Sequence, residues 1–109
     1  MDRDPCVYML ASRRHGTVYT GVTSDLFGRL HKHREGLTKG FVARYAVYRL
    51  VWFEMHGDME GAIRREKQIK KWERAWKVRL IEAQNPEWSD LATGFGFEAV
   101  SPSPSPGPR

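Results

Sequence analysis

The run Thr17-Val18-Tyr19-Thr20-Gly21-Val22 passes directly into Thr23-Ser24-Asp25 and then into Leu26-Phe27-Gly28-Arg29-Leu30-His31-Lys32-His33-Arg34. β-Branched and aromatic residues suit the first six positions to a strand. Thr23, Ser24 or Asp25 can each supply the side-chain oxygen that caps a helix start. A strand that runs straight into a helix brings its end close to the first two helical turns. Tyr19 is therefore expected near Arg29, and Arg29 and His33, four residues apart, share one helical face. A phenol, a guanidinium and an imidazole converging at a strand–helix junction form a site rather than a core.

The surrounding chain is read in the same terms. Cys6 to Ala11 is a short apolar strand, and Ser12-Arg13-Arg14-His15-Gly16 is turn material with Gly16 suited to a positive φ. Residues 6–22 then form an antiparallel hairpin. A symmetric five-residue loop would pair Met9 with Tyr19 and send the two tyrosines to opposite faces, because side chains alternate along a strand. A shorter loop or a bulge would set Tyr8 opposite Tyr19, and this second register is the expectation.

The first helix is expected over residues 24–35 with Gly36 as its stop, followed by a basic loop to Tyr45 and a third strand, Val47 to Met55. Asp58 is a suitable N-cap for a second helix from about Met59 to Trp72. Met59, Ala62, Ile63 and Ile69 lie on one stripe of that helix, with Glu66 in their midst. A carboxylate on a buried face is costly unless something satisfies it. Two readings are open: a salt bridge to Arg29 or another base, or a metal ligand at the floor of a cleft. A third helix, about Arg74 to Gln84, offers Trp76, Leu80 and Ala83 as a buried face. Asn85-Pro86 ends it, and Trp88 and Leu91 can fold back as a clasp. Residues 5–91 make one domain. Residues 92–109, with repeated Ser-Pro and further glycine, are expected to be a disordered tail.

Charge points to an anionic partner. Eighteen Lys plus Arg stand against thirteen Asp plus Glu, a net charge of +5. Between Arg64 and Arg79 the bases cluster, with only Glu66 and Glu73 opposing them, which favours a phosphate-facing surface. Cys6 is the sole cysteine, which excludes an intrachain disulfide and a cysteine-based zinc site. The N-terminal residues lack signal-peptide character and no apolar run is long enough to span a bilayer, so a cytoplasmic protein is expected.

Val7-Tyr8-Met9, Tyr19-Thr20-Gly21, Arg29, His33 and a helical Glu66 together resemble the GIY-YIG endonuclease superfamily. The resemblance extends through Lys39-Gly40-Phe41, Tyr45, Arg65 to Trp72 and Asn85-Pro86-Glu87-Trp88, and is nearest to the stand-alone, single-domain bacterial branch. It covers roughly residues 5–91. One departure is that the first motif reads Cys-Val-Tyr and lacks the family's glycine. The resemblance implies an α/β (α+β) fold, a small three-stranded antiparallel sheet flanked by about three helices. It also implies phosphodiester hydrolysis with one divalent ion, Mg²⁺ (or Mn²⁺). Tyr8 and Tyr19 would be the motif tyrosines, Arg29 the active-site arginine, Glu66 the metal ligand and His33 the residue four beyond the arginine.

Chemically, Arg29 would stabilise charge on the phosphoryl oxygens, and Tyr19 or His33 would take the proton from water with Tyr8 orienting it. Lys39, Arg44, Lys67, Lys70 and Lys71 are candidate phosphate contacts. The substrate expected is nucleic acid, most naturally DNA, with a partner protein a candidate for targeting. The alternative is a non-cleaving nucleic-acid-binding module that keeps the fold. Tyr8, Tyr19, Arg29, His33 and Glu66 together argue for the enzyme, because binding alone needs no acid in an anionic groove.

Overall fold

A computed structural model describes residues 4–34 and 46–97. The expected stop at Gly36, the basic loop with Lys39 and Arg44, and residues 98–109 of the tail lie outside the described residues. Three strands, β1 (Cys6–Ala11), β2 (Val18–Thr23) and β3 (Arg49–Met55), form one antiparallel sheet in the order β2-β1-β3. Helix α1 (Leu26–Arg34) follows β2, and α2 (Met59–Lys70) and α3 (Arg74–Gln84) follow β3. A short 3-10 helix, Leu91–Phe95, closes the described chain. This is the α/β arrangement expected, with a three-stranded sheet and three α-helices among the described residues.

β1 is central, and all six of its residues are inaccessible to solvent. Its uninterrupted apolar sequence follows from cover on both faces. Cys6, Tyr8 and Leu10 pack with Leu26 and Leu30 of α1 and with Ala92. Val7, Met9 and Ala11 pack on the opposite face with Ala62 and Ile69 of α2, Ile81 of α3 and Trp88. The starts of α1 and α2 are capped by aspartate. Asp25 accepts a hydrogen bond from the Gly28 amide at 3.1 Å, and Asp58 accepts one from Gly61 at 2.6 Å.

The hairpin register differs from the expected one. Tyr8 pairs with Gly21 and Leu10 with Tyr19. The cause lies in the turn, where the Ser12 amide donates to the Thr17 carbonyl at 3.0 Å and the Thr17 amide to Ser12 Oγ at 3.0 Å. That closure puts the two tyrosines on the same face, diagonal rather than opposite. The residue with positive φ is His15 (61°), not Gly16. Gly16 is needed for space instead, since a Cβ there would collide with Ser12 and Arg13.

Three further expectations are corrected. Helix α2 ends at Lys70 rather than Trp72, and it buries Ala62, Glu66 and Ile69 while Ile63 turns outward at 37% exposure. Helix α3 has the expected bounds but a different roll. Ile81 joins Trp88 in the core, whereas Trp76 is 54% exposed and Ala83 faces solvent. The Trp88 clasp decides that roll: it is fully buried, and its indole N–H donates to Glu82 of α3 at 2.6 Å. Finally, ordered packing continues past residue 91. Asp90 accepts two hydrogen bonds from one terminal nitrogen of Arg34, at 3.0 and 3.1 Å, and one each from the amides of Leu50 and Ala92. Phe95 then packs on Phe53 and Phe97 on Phe27.

The register makes Gly21 a space requirement. A Cβ at Gly21 would stand 2.6 Å from both Cζ and Oη of Tyr8. Gly21→Ala is expected to lower unfolding free energy by about 1–3 kcal/mol, the usual scale of overpacking. Urea denaturation measures this, and Tyr8→Leu in the same background should recover part of the loss. An unchanged midpoint in Gly21→Ala would contradict the Tyr8–Gly21 register.

Candidate active site

The site forms where α1 and α2, on opposite faces of the sheet, approach each other around the edge strand β2. Tyr8 comes from the central strand, and its ring lies over the gap left by Gly21. Its ring centroid is 6.3 Å from that of Tyr19 and 6.4 Å from that of His33. Tyr8 is buried, and the polar side chain that acts on its hydroxyl is Arg29. Burial pushes its pKa up to about 12; the neighbouring Tyr19 adds to the rise and Arg29 opposes it. Tyr19 is only partly buried, so it is the phenol that solvent and ligand reach.

Arg29 and His33 project from successive turns of α1. Arg29 influences both Tyr8 and His33. His33 is 5% exposed, and its pKa is pulled down to about 4, first by burial and then by the positive charges of Arg29 and Arg34. Its imidazole is therefore neutral at neutral pH. Arg29 also lines a polar cleft of about 440 Å³ with Lys32, Gly28, the β2 end at Val22 to Asp25, and Met59 of α2.

Helix α2 runs antiparallel along the β2 edge. Met59 shares the cleft with Val22 at one end, and at the other the Lys70 ammonium lies 5.9 Å from the Tyr19 ring centroid. Glu66 falls between those two anchors on the same helical face. It is 8% exposed and forms an ion pair with Lys70 at 2.5 Å. Of the two readings open for Glu66, the salt bridge is present, made with Lys70 rather than Arg29. It links the carboxylate to the phenol cluster instead of removing it from the site. Among the described residues no group of three or more His, Cys, Asp or Glu side chains forms a ready-made metal cage.

The structure thus gathers Tyr8, Tyr19, Arg29 and His33, and attaches Glu66 through Lys70. Lys67 and Lys71 are elsewhere: with Arg64, Gln68 and Trp72 they line a separate groove on the outer side of α2. Lys39 and Arg44 lie outside the described residues. One contributor, Lys32, escaped the sequence reading. It stands in the cleft one turn beyond Arg29. Lys70, a candidate phosphate contact in the sequence, is the partner of Glu66, a pairing signalled by a Glu-to-Lys spacing of four. Thr20 keeps a buried hydroxyl that has no hydrogen-bond partner among the described residues.

Residues 4–79 match the family described as the GIY-YIG catalytic domain. A UPF0213 protein of Syntrophus aciditrophicus is 43% identical over 75 residues, which cover 65% of this chain and 82% of that one. A UPF0213 protein of Aeromonas salmonicida is 30% identical over 95 residues, covering 86% of this chain and 68% of that one. The solution structure of a UPF0213 protein from Bacillus halodurans has a TM-score of 0.49 and 29% identity, covering 75% of this chain and 86% of that one. No helix among the described residues is long and apolar enough to cross a membrane. With the family match spanning both tyrosines, Arg29, His33 and Glu66, the chain belongs to the GIY-YIG nuclease family.

Proposed function

We propose that the chain is a metal-dependent endonuclease that hydrolyses phosphodiester bonds in DNA. One observation carries the reading: a buried carboxylate, two phenols, a guanidinium and an imidazole meet at the edge of β2, beside an open cationic cleft. An acid in such a cleft opposes the binding of a phosphate. Its presence is understandable if a cation intervenes between them.

Glu66 suits a hard divalent ion such as Mg²⁺ or Mn²⁺. A cation, the Lys70 ammonium, already occupies its carboxylate, so the position tolerates positive charge. One carboxylate is enough for an ion that keeps several waters and completes its shell with substrate phosphate. When bound, such an ion polarises the phosphoryl group and lowers the pKa of its water. The remaining work belongs to the chain's own residues. Arg29 donates to the non-bridging oxygens as their charge grows. Lys32, in the same cleft, holds the incoming phosphate backbone. Tyr19, the accessible aromatic hydroxyl, accepts the proton of the attacking water in its phenolate form, and Tyr8, held rigidly beside it, fixes its position. The water oxygen bonds to phosphorus as the ester P–O bond breaks, and the leaving oxygen takes a proton from solvent. His33 is the other candidate base.

The closed Glu66–Lys70 pair also favours a second reading, a non-cleaving nucleic-acid-binding module in which Glu66 is structural. Supercoiled, branched and single-stranded DNA incubated with Mg²⁺ or Mn²⁺ separates the two. Cleavage is expected, and Glu66→Ala and Arg29→Ala should each lower it by about 10²–10³-fold, the scale for losing one transition-state contact. DNA binding without cleavage in any metal would favour the binding module.

The low pKa of His33 fixes two pH dependences. A rate that relied on His33 as base would fall only near pH 4, and that fall would be absent in His33→Gln. For stability, the folded-state pKa lies below the unfolded value of 6.5, so the unfolded chain binds the proton more readily. The stabilisation is complete above pH 6.5 and is lost as the pH falls towards 4. Thermal unfolding over that window should show a slope that His33→Gln reduces. An unchanged slope in His33→Gln would contradict the buried, neutral imidazole.

A further inference from the structure

The bases on the outer side of α2 are remote from the polar cleft, yet they are not scattered. Arg64, Lys67 and Lys71 line a groove of about 450 Å³ whose far wall is Trp72. The other side of Trp72 forms a second groove, about 330 Å³, with Trp76, Arg79, Leu80 and Ala83. Trp72 and Trp76 meet edge to face with ring centroids 5.9 Å apart. The Arg65 guanidinium lies over Trp72, which leaves Trp76, 54% exposed, as the ring open to a ligand. A large aromatic surface of this kind, rimmed by charge, marks an interaction site rather than an incidental exposed residue.

Its chemistry selects the occupant. The polar side chains along the two grooves are nearly all cationic donors, and the exception, Gln68, has its carbonyl oxygen engaged by Arg65 at 3.2 Å. A peptide laid there would find few acceptors for its own N–H groups. Of the two acids in this stretch, Glu66 is turned inward and paired with Lys70, which leaves the exposed Glu73, at the start of α3, as a single acid against the bases of both grooves. A nucleic-acid strand brings phosphate acceptors and flat bases, which match ammonium groups and an open indole. Duplex DNA keeps its bases stacked, so an exposed ring is useful only to an unpaired segment. The grooves also begin where the site ends, since Lys70 lies over Tyr19 and Lys71 is the next residue.

We infer that the outer face of α2 and the start of α3 form a single-strand subsite, in which Trp76 stacks an unpaired base while Arg64, Lys67, Lys71 and Arg79 hold the phosphates of the same strand. This rests on nucleic acid being the substrate and adds that the substrate carries an unpaired stretch beside the scissile bond.

Fluorescence anisotropy in EDTA, with the full chain and a labelled oligothymidylate or a duplex of matched length, tests the subsite without cleavage. Trp76→Ala should weaken oligothymidylate binding by about tenfold, the scale of one lost base stack. Trp76→Phe should keep most of the affinity, and duplex binding should be little changed. Lys67→Ala with Lys71→Ala should weaken binding and flatten its salt dependence. Unchanged oligothymidylate affinity in Trp76→Ala would overturn the inference, as would an equal loss on duplex. Competition by polyglutamate as effective as that by oligothymidylate would also overturn it, because it would reveal a generic acidic-partner surface. If cleavage assays fail while this pattern holds, the endonuclease reading falls and the subsite stands. If the wild type binds neither form of DNA, both fall.

Discussion

The burial of the Tyr8 phenol at the centre of the sheet is the constraint on which the site depends. The ring is inaccessible to solvent, and the Arg29 guanidinium is the polar group that acts on its hydroxyl. A buried hydroxyl that lost its partner would cost on the order of 1–3 kcal/mol, so the ring and Arg29 are held together by their surroundings. Those surroundings are β1 covered on both faces and a neighbouring strand that lacks a side chain at Gly21. Adding one carbon at Gly21 would displace the ring from its position beside Tyr19 and His33. Sheet register and site geometry are thus one problem in this protein.

Charge is distributed around that fixed centre in layers. Nearest the phenols, Arg29 acts on Tyr8 and on a neutral His33. At the strand edge the Glu66–Lys70 pair brings an acid into a cationic setting, with both partners on one helix so that the pair forms without long-range assembly. A different pair, Arg34–Asp90, is nearly buried and structural, tying α1 to the segment after α3 and satisfying the amides of Leu50 and Ala92. Separating the two has a physical consequence. The pair that maintains the fold is buried and multiply hydrogen-bonded, whereas Lys70 is half exposed and free to yield its place to another cation.

Features set by local chemistry were legible in the sequence. The apolar run at Cys6 to Ala11, the Asp58 cap, the Arg29–His33 spacing and the bounds of α3 each depend on residues within a few positions of one another. The inner placement of Glu66 was legible for the same reason, since it follows from helical periodicity. What the sequence did not disclose depends on distant partners. The hairpin register turned on whether Ser12 and Thr17 close the loop, and one residue's difference there reverses every face. The roll of α3 was decided by Trp88, which enters the core from beyond the helix and leaves Trp76 outside. Residues 92–97 read as a Gly-rich tail, yet Asp90 and Arg34 hold that segment against the sheet. The Glu66–Lys70 pair is the local exception, signalled by a spacing of four residues along one helix.

The central claim is that Glu66, inside the α2–β2 junction, is a cation position shared with the phenol cluster. Titration of isotope-labelled protein with Mn²⁺, followed by paramagnetic broadening of its amide resonances, tests this without reference to activity. The account predicts that broadening centres on the amides around Glu66 and on Gly21 and Tyr19 across the junction, and that Glu66→Gln abolishes it. Broadening centred on the exposed acids Asp58 and Glu60, or persisting unchanged in Glu66→Gln, would contradict it.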